Sequence, residues 1–308
     1  MSQHIRIGTR GSDLALAQAH AVERDLRSSG ATTEIVIVKT TGDLDLTRSF
    51  QDLGPAGVFA VELRIALLEE RVDIAVHSAK DLPGLKPSGL MLIACPERVA
   101  PHDRLLITPE KFEAGASGFP LRPGARLGTA AARRVALARE VRPDLEIDVL
   151  RGNVPTRIAK LRSGEHDAIL LAAAGLDRLK AAHSRGECNA PDLTDLIVHD
   201  LNPEEFTPAP GQGAIAIEVR EGCPVGAQAA ALDDPLASRC LRAEREALVR
   251  VDAGCHTPFG AWCRALDGGL IMSAVLEVNG ALERSCFRGD DPEILAGLIT
   301  GQLLNGGA

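Results

Sequence analysis

Residues 5–27 read IRIGTRGSDLALAQAHAVERDLR, and this stretch decides the fold. Its first five residues form a short, largely β-branched run that is typical of a strand. Ser12 follows in the loop and offers a side-chain oxygen that can cap a helix. Beyond it, apolar residues recur at helical spacing, namely Leu14, Ala15, Ala19, Val22 and Leu26. A strand that leads through a short loop into a helix predicts the first β-α unit of an open sheet.

The same rhythm continues through the first two thirds of the chain. Further strands are predicted at residues 33–39, 73–77 and 90–95, with a helix at about 58–70. The pattern then restarts with a strand at 126–128, a helix to Val141, a strand at 146–150, a helix capped by Asn153 and a strand at 167–171. This alternation predicts two α/β units with mainly parallel sheets. Residues 96–103 are the predicted crossing between the units, and the Pro- and acid-rich residues 191–210 are the predicted return before a strand at 214–219.

The last 80 or so residues have a different character. A helix at about 235–251 precedes three strand-like runs at 260–266, 270–278 and 281–288. Asp267-Gly268-Gly269 and Asn279-Gly280 separate these runs and predict two tight hairpins. An amphipathic helix is predicted at 292–305. The expected domains are therefore residues 1–98 plus 207–224, residues 99–206, and a small α+β domain at 225–308 with a three-stranded antiparallel sheet.

Composition limits the possible partners. The chain has 308 residues and a net charge of -8, from 42 acidic and 34 basic residues, which disfavours nucleic-acid binding. Lys occurs at only six positions, so Arg supplies most of the positive charge; its planar fork suits carboxylate and phosphate groups. The seven Cys are scattered without a C-x-x-C pair, which argues against disulfide or zinc frameworks and favours a reducing, cytoplasmic compartment. The longest apolar run, residues 169–176, is too short for a membrane span.

Cations and helix-start donors follow several predicted strands. They are Arg10 and Ser12, Lys80 beside Asp81, Thr129 with Arg133 and Arg134, and Arg151 with Arg157. Any single Arg of this set could be an ordinary solvated charge. The carboxyl ends of parallel strands meet at one crevice, however, so the set also predicts a site for an anionic small molecule.

Two further residues have both a structural and a chemical interpretation. Asp81 could cap its own turn or pair with Lys80, or it could be an acid/base group that faces the crevice. Cys255, in the loop Gly254-Cys255-His256, could be inert or could be an accessible, reactive thiol. Gly211-Gln212-Gly213 precedes a strand and is not a nucleotide-binding loop.

Seven segments, in this order, resemble the porphobilinogen deaminase (hydroxymethylbilane synthase) family over essentially the whole chain. They are IGTRGSDLALAQAH (7–20), DIAVHSAKDLP (73–83), RRVALAREVRPDL (133–145), RGNVPTR (151–157), DAILLAAAGLDRL (167–179), APGQGAIAIEVR (209–220) and DAGCHTPFGA (252–261). The resemblance implies two lobes like those of periplasmic binding proteins around a cleft, and a third domain with a cofactor-bearing Cys. It implies a monomeric transferase of haem biosynthesis that joins porphobilinogen head to tail into the linear tetrapyrrole hydroxymethylbilane.

The resemblance also assigns residues. Cys255 matches the attachment point of a covalent dipyrromethane cofactor, and Asp81 matches the catalytic carboxylate that stabilises positive charge on the pyrrole nitrogen. Lys80, Thr129, Arg133 and Arg134 are the implied cofactor contacts. The implied substrate contacts are Arg10, Ser12, Arg151, Arg157, Arg178 and Gln212. No metal, nucleotide or membrane is implied.

The chain departs from the family pattern at places that bear on activity. Ala130 and Ala131 stand where two hydroxyl residues are common, Ala56 where a Lys is common, Asp13 where a Pro is frequent, and Pro155 where a Gly is common. These changes leave open a second hypothesis, in which an impaired relative acts as a two-lobed polycarboxylate- or pyrrole-binding protein. The Gly- and Pro-containing residues 41–57 are a predicted lid over the cleft.

Overall fold

The computed structural model describes residues 4–39, 60–116, 118–253 and 257–305. Its strands are β1 His4–Thr9, β2 Thr32–Ile37, β3 Ile74–Ser78, β4 Leu90–Ala94, β5 Asp103–Ile107, β6 Arg126–Gly128, β7 Glu146–Asp148, β8 Ala168–Ala172, β9 Ile197–Asp200, β10 Ile215–Arg220, β11 Phe259–Leu266, β12 Gly269–Val278 and β13 Ala281–Gly289. Its α-helices are α1 Asp13–Ser28, α2 Val61–Leu68, α3 Ala132–Val141, α4 Val154–Arg162, α5 Ala173–Ser184, α6 Gly226–Ala230, α7 Pro235–Arg250 and α8 Pro292–Asn305. The predicted lid and the Cys255 loop lie outside the described residues.

Two five-stranded sheets have the same internal design. The strand order is β2-β1-β3-β10-β4 in the first sheet and β7-β6-β8-β5-β9 in the second. In each sheet four strands run in one direction, and the fifth, β10 or β5, is antiparallel to both neighbours. That fifth strand is the one by which the chain enters the lobe from the other lobe, so it arrives from the opposite side. The prediction of two α/β lobes with mainly parallel sheets is confirmed.

Two strands were not predicted from the sequence. β5 begins at Asp103, the residue at which the predicted crossing ended, and β9 lies inside the predicted return linker. Each has only four or five residues and borders polar or Pro-rich sequence, so its periodicity is too short to read. The chain therefore crosses between the lobes at residues 95–102 and returns at residues 201–214.

The apolar pattern of the strands accounts for the two lobe cores. In the first sheet Ile5, Ile7, Ile74 and Ile217 are fully buried beneath α1. The core of the second sheet is built around Leu105, Leu127 and Leu170, among others. Val225 and Ala229, at helix α6, pack into the core of the first lobe. The third domain that we predicted to begin at residue 225 therefore starts with a helix that belongs with the first lobe.

The third unit is an antiparallel meander, β11-β12-β13, covered by α7 and α8. Asp267 and Gly268 in one hairpin, and Asn279 and Gly280 in the other, have positive φ angles, as two-residue turns of this kind require. The prediction of a three-stranded antiparallel sheet is confirmed. Helix α8 is not amphipathic as predicted, because Ile294, Leu298 and Leu304 are exposed on the side away from the core.

The two crossings are pressed against each other at Gly213. A Cβ atom at this residue would lie 2.1 Å from the carbonyl oxygen of Val99, and the φ of Gly213 is +87°. Val99 N donates to the Gly213 carbonyl oxygen at 3.2 Å. A side chain at position 213 would push the crossings apart, so Gly213 is required where the two lobes join.

Glu244 of helix α7 ties the third unit to these crossings. The side chain is completely buried, and one carboxylate oxygen accepts from Gly211 N at 2.6 Å while the other accepts from Cys263 N at 2.7 Å. Both oxygens also face the guanidinium of Arg98, with one contact of 2.5 Å and one of 3.2 Å. Arg98 in turn donates to the Gln212 carbonyl oxygen at 2.9 Å. One carboxylate thus joins both crossings to β11.

We expect Glu244→Ala to lower the free energy of unfolding by about 3–5 kcal/mol, because the change leaves Arg98 charged and buried without its partner. Chemical denaturation would measure the loss. Glu246→Ala is the matched control on the same helix, since Glu246 pairs with Arg250 at the surface, and it should cost less than about 1 kcal/mol. Equal losses in the two variants would contradict this account of Glu244.

Candidate active site

Lys80 and Asp81 lie on a single 3-10 turn directly after β3. The turn spans Ala79–Asp81, and it is held to the sheet because Ala79 N donates to the Ala214 carbonyl oxygen at 3.0 Å. Ala79 is buried, whereas Lys80 and Asp81 have solvent-exposed side chains. The buried strand therefore fixes the backbone, and the two charged groups project from the carboxyl edge of the first sheet.

Arg10 and Ser12 lie on the neighbouring loop, between β1 and α1. Ser12 caps α1 as predicted, with its hydroxyl oxygen accepting from Ala15 N at 3.4 Å. Arg10 and Asp81 line the same small cavity, together with His77 and Ser78. The strand ends of the first lobe thus place one cation and one carboxylate around a common space.

The second lobe contributes Arg157 from helix α4, just after the loop that follows β7. Asn153 caps α4 by accepting from Thr156 N at 2.9 Å, and Arg157 Nε donates to the Gly152 carbonyl oxygen at 2.7 Å. Gly152 has a φ of +113°, and a Cβ there would lie 2.7 Å from the Thr156 side chain. The predicted cap is confirmed, and Pro155 is accommodated in the first turn of the helix. Arg151 lies in the loop between β7 and α4 and is half-buried.

Arg157 faces charged groups of both lobes. Burial lowers the pKa of Arg157 to about 10, the positive charge of Arg134 adds to the effect, and Asp81 opposes it. Because Asp81 belongs to the first lobe and Arg134 to the second, charged groups of both lobes lie near Arg157.

Arg133 and Arg134 lie beneath the crevice and are almost fully buried. Both donate to Asp103, at the first residue of β5: Arg133 Nη2 at 2.8 Å and Arg134 Nη2 at 2.6 Å. Arg133 also donates to the Thr207 carbonyl oxygen at 2.7 Å, and Arg134 to the Leu170 carbonyl oxygen at 2.9 Å. The assignment of the two Arg side chains as cofactor contacts stays a prediction, and the structure adds that protein groups hold both guanidiniums in place.

Gln212 connects this buried cluster to Lys80. Its amide nitrogen donates to Asp103 at 3.0 Å and to the Pro101 carbonyl oxygen at 2.7 Å, and its amide oxygen accepts from Lys80 Nζ at 3.4 Å. The Lys80 side chain is exposed to solvent, but the protein groups around its amine reduce its hydration. This desolvation, together with the charges of Arg134 and Arg133, lowers the pKa of Lys80 to about 8, although Asp81 and Asp103 oppose the shift.

Two other predicted contacts have partners within the protein. Arg178 donates to the Gly213 carbonyl oxygen at 2.7 Å, and burial lowers the pKa of Arg178 to about 10. Thr129 is buried, and its hydroxyl oxygen accepts from Ala131 N at 3.4 Å. Arg178 therefore lies at the junction of the crossings, and Thr129 supports the loop in which Ala130 and Ala131 replace the common hydroxyl residues.

A buried ionic cluster behind Asp81 was not predicted. His77 Nε2 lies 3.2 Å from the Glu218 carboxylate, which also accepts from Arg64 at 2.8 and 3.0 Å. Burial alone would raise the pKa of Glu218, but contacts with His77 and Arg64 outweigh it and lower the pKa to about 2. These residues lie in predicted strands and a predicted helix, where only their polar character at buried positions could have identified them.

Cys255 and His256 lie outside the described residues, as does Ala56. The strand that follows Cys255 nevertheless reaches the cluster. A Cβ at Gly260 would lie 2.9 Å from the Thr207 carbonyl oxygen and 3.1 Å from Arg133 Cδ. Ala261 N donates to the Pro208 carbonyl oxygen at 2.9 Å. The missing side chain at Gly260 thus lets β11 pack against Arg133 and the return crossing.

Comparison with known proteins agrees with this arrangement. Residues 5–225 match a family model described as the porphobilinogen deaminase, dipyrromethane cofactor binding domain. This chain belongs to the porphobilinogen deaminase family. A porphobilinogen deaminase of Roseiflexus castenholzii is 39% identical over 316 residues, covering 100% of this chain and 98% of that protein. One of Caulobacter sp. (strain K31) is 41% identical over 291 residues, covering 89% of this chain and 83% of that protein.

A solved periplasmic binding protein of Salmonella typhimurium has 10% sequence identity and a TM-score of 0.40, covering 77% of this chain and 94% of that one. The shared strand order of the two sheets, rather than this superposition, defines the two-lobed architecture.

The crevice has the chemistry that a porphobilinogen deaminase with a dipyrromethane cofactor requires. Carboxylate side chains of a pyrrole ligand need cations that can approach them, and Lys80 and Arg157 are basic groups whose pKa values are lowered by burial and by the charge of Arg134. The matched region includes both residues and ends before Cys255. Among the described residues, no group of three or more His, Cys, Asp or Glu side chains could hold a metal ion, and no helix is long and apolar enough to cross a membrane.

In the protein without bound cofactor, we expect Lys80 to titrate with a midpoint near pH 8, because burial and two guanidiniums disfavour its charged form. The chain has six Lys, so reductive ¹³C-methylation followed by an NMR titration can resolve each one, and Lys80→Arg identifies the resonance. A midpoint at the ordinary lysine value of about 10.4 would contradict this description of the crevice.

Proposed function

We propose that the protein is a hydroxymethylbilane synthase, a cytoplasmic, monomeric transferase of tetrapyrrole biosynthesis. It deaminates porphobilinogen and joins the pyrrole units head to tail, elongating the chain on a dipyrromethane bound to Cys255. The observation that carries the proposal is that Lys80 and Arg157, from different lobes, both interact electrostatically with Asp81. Family membership and full-length relatives with this name support the same activity.

The cations account for binding of the substrate. Each pyrrole unit carries acetate and propionate groups, and Arg forms paired hydrogen bonds with such carboxylates. Arg10, Arg151, Arg157, Arg178, Gln212 and Ser12 are the proposed substrate contacts. Lys80, Thr129, Arg133 and Arg134 are the proposed cofactor contacts. An anion in the crevice would raise the pKa values of Lys80 and Arg157 again, so binding would favour their charged forms.

Asp81 is the proposed catalytic residue. Positive charge develops on the pyrrole nitrogen as ammonia leaves, and a carboxylate next to that nitrogen stabilises the charge. Lys80 and Arg157 both lie close enough to interact electrostatically with Asp81. The same carboxylate can accept and return a proton during coupling.

Cys255 is the proposed attachment point of the cofactor. The dipyrromethane supplies the terminal pyrrole carbon to which the first porphobilinogen unit is added. β11 begins four residues after Cys255 and packs against Arg133 through Gly260, which supports this assignment. No observation favours the second hypothesis, a binding protein without turnover.

We expect the purified protein, made in cells that supply porphobilinogen, to have the intact mass of the chain plus one dipyrromethane. Cys255→Ser should remove the added mass and the activity together. Cys286→Ser is the control, since Cys286 is exposed on β13, and it should retain both. An unmodified Cys255 in an active wild-type enzyme would refute the attachment.

We expect Asp81→Asn to lower kcat by about 10²-fold or more while the protein stays folded, because the exposed side chain contributes to chemistry rather than packing. Release of ammonia from porphobilinogen measures turnover, and intact mass shows whether the cofactor is present. Asp25→Asn, at an exposed position on α1, should have the wild-type rate. Undiminished ammonia release by Asp81→Asn would exclude the role given to this residue.

A further inference from the structure

Asp103 is a completely buried carboxylate that contacts Arg133, Arg134 and Gln212. One oxygen accepts from Arg133 Nη2 at 2.8 Å. The other accepts from Arg134 Nε at 3.1 Å, from Arg134 Nη2 at 2.6 Å and from the Gln212 amide at 3.0 Å. Two residues of α3 and one of the return crossing are therefore held by a single side chain at the start of β5.

The charges explain why a carboxylate is needed at this position. Arg133 and Arg134 are adjacent and both buried, so their guanidiniums repel each other in surroundings that screen poorly. Burial alone would raise the pKa of Asp103, but the charges and hydrogen bonds of the two Arg residues outweigh it and hold that pKa well below its usual range. Asp103 is therefore ionised, and the three side chains together retain one positive charge.

The contacts of its partners extend from Asp103 to the crevice. Gln212 donates to Asp103 and accepts from Lys80, so the carboxylate orients the amide that meets the lysine. Arg134 is coupled electrostatically to both Lys80 and Arg157. A displacement of Asp103 would thus change the positions of Gln212 and Arg134, which interact with Lys80 of the first lobe and Arg157 of the second.

We infer that Asp103 is a positioning residue for the proposed reaction: it fixes Arg134 and Gln212, and through them Lys80, in the arrangement that receives the carboxylates of the cofactor and the growing chain. Asp103 itself is completely buried, so we assign it no direct contact with either ligand. The inference rests on the proposed function, and it predicts weaker ligand binding rather than slower chemistry when Asp103 is changed.

Asp73 provides a matched control. It accepts from Arg6 Nε at 3.1 Å and from Arg6 Nη2 at 2.7 Å, and it lies just before β3, at the opposite end of that strand from Lys80. Asp73→Asn therefore removes a carboxylate that binds a guanidinium in the same way but has no connection to the crevice.

The test compares the wild-type enzyme, Asp73→Asn, Asp103→Asn and Asp103→Glu, each as the full chain. Asp103→Glu keeps the negative charge, but its side chain is longer by one methylene group and therefore displaces the two guanidiniums. We expect both Asp103 variants to raise KM for porphobilinogen about tenfold or more, to change kcat less than KM, and to show reduced cofactor occupancy by intact mass. Circular dichroism and melting temperature report on the fold.

A pH profile separates positioning from a merely structural role. Lys80 faces Asp81, Arg133, Arg134, Asp103 and Gln212. Loss of the Asp103 charge disfavours charged Lys80 further, so the rise of KM with pH should begin at lower pH in Asp103→Asn than in the wild type. Asp73→Asn should have the wild-type KM and profile.

The possible outcomes distinguish a failure of the proposed function from a failure of the inference about Asp103. A wild-type enzyme that forms no hydroxymethylbilane refutes the proposed function, whatever the variants do. If the wild type is active and a folded Asp103 variant keeps the wild-type KM, pH profile and cofactor occupancy, the inference is wrong. It is also overturned if neither Asp103 variant folds under conditions in which Asp73→Asn does, because the role is then structural.

Discussion

The close approach of the two interlobe crossings is the constraint on which the rest of the structure depends. Gly213 lets the return crossing approach the Val99 carbonyl oxygen closely, and buried Glu244 binds both crossings to the third unit. Two of the predicted site residues are positioned relative to this junction: Lys80 through Gln212, and Arg178 through the Gly213 carbonyl. The positions of these side chains therefore depend first on backbone packing and second on charge interactions.

The electrostatics of the crevice are local. The protein is acidic, with a net charge of -8, and at physiological ionic strength the field of distant surface charges is screened within about 8 Å. Lys80, Arg134 and Arg157 act at shorter range and in surroundings that contain less water. An overall negative charge is thus compatible with a site for anions, because the ligand meets the cations only after it has entered between the lobes.

Much of the fold could be predicted from the sequence, because periodicity and capping identify elements such as the strand at Ile5–Thr9 and the helix capped by Ser12. β5 and β9 could not, since short strands in polar surroundings have no readable period. The strand-end cations could also be predicted as a set. Asp103 was missed because its importance comes from partners about 30 and 109 residues away in the chain, and only the folded structure brings these together.

The shared strand order of the two sheets has a consequence for the direction of synthesis. Equivalent loops of both lobes face the crevice, and both present cations. The turn after β3 carries Asp81, whereas the turn after its counterpart β8 continues as Ala173-Ala174 at the start of α5. The backbone is thus nearly symmetrical while the chemistry is not. At this pair of equivalent turns, both within the described residues, only the first lobe presents an acid, so the two ends of a linear molecule laid across the crevice would be distinguishable.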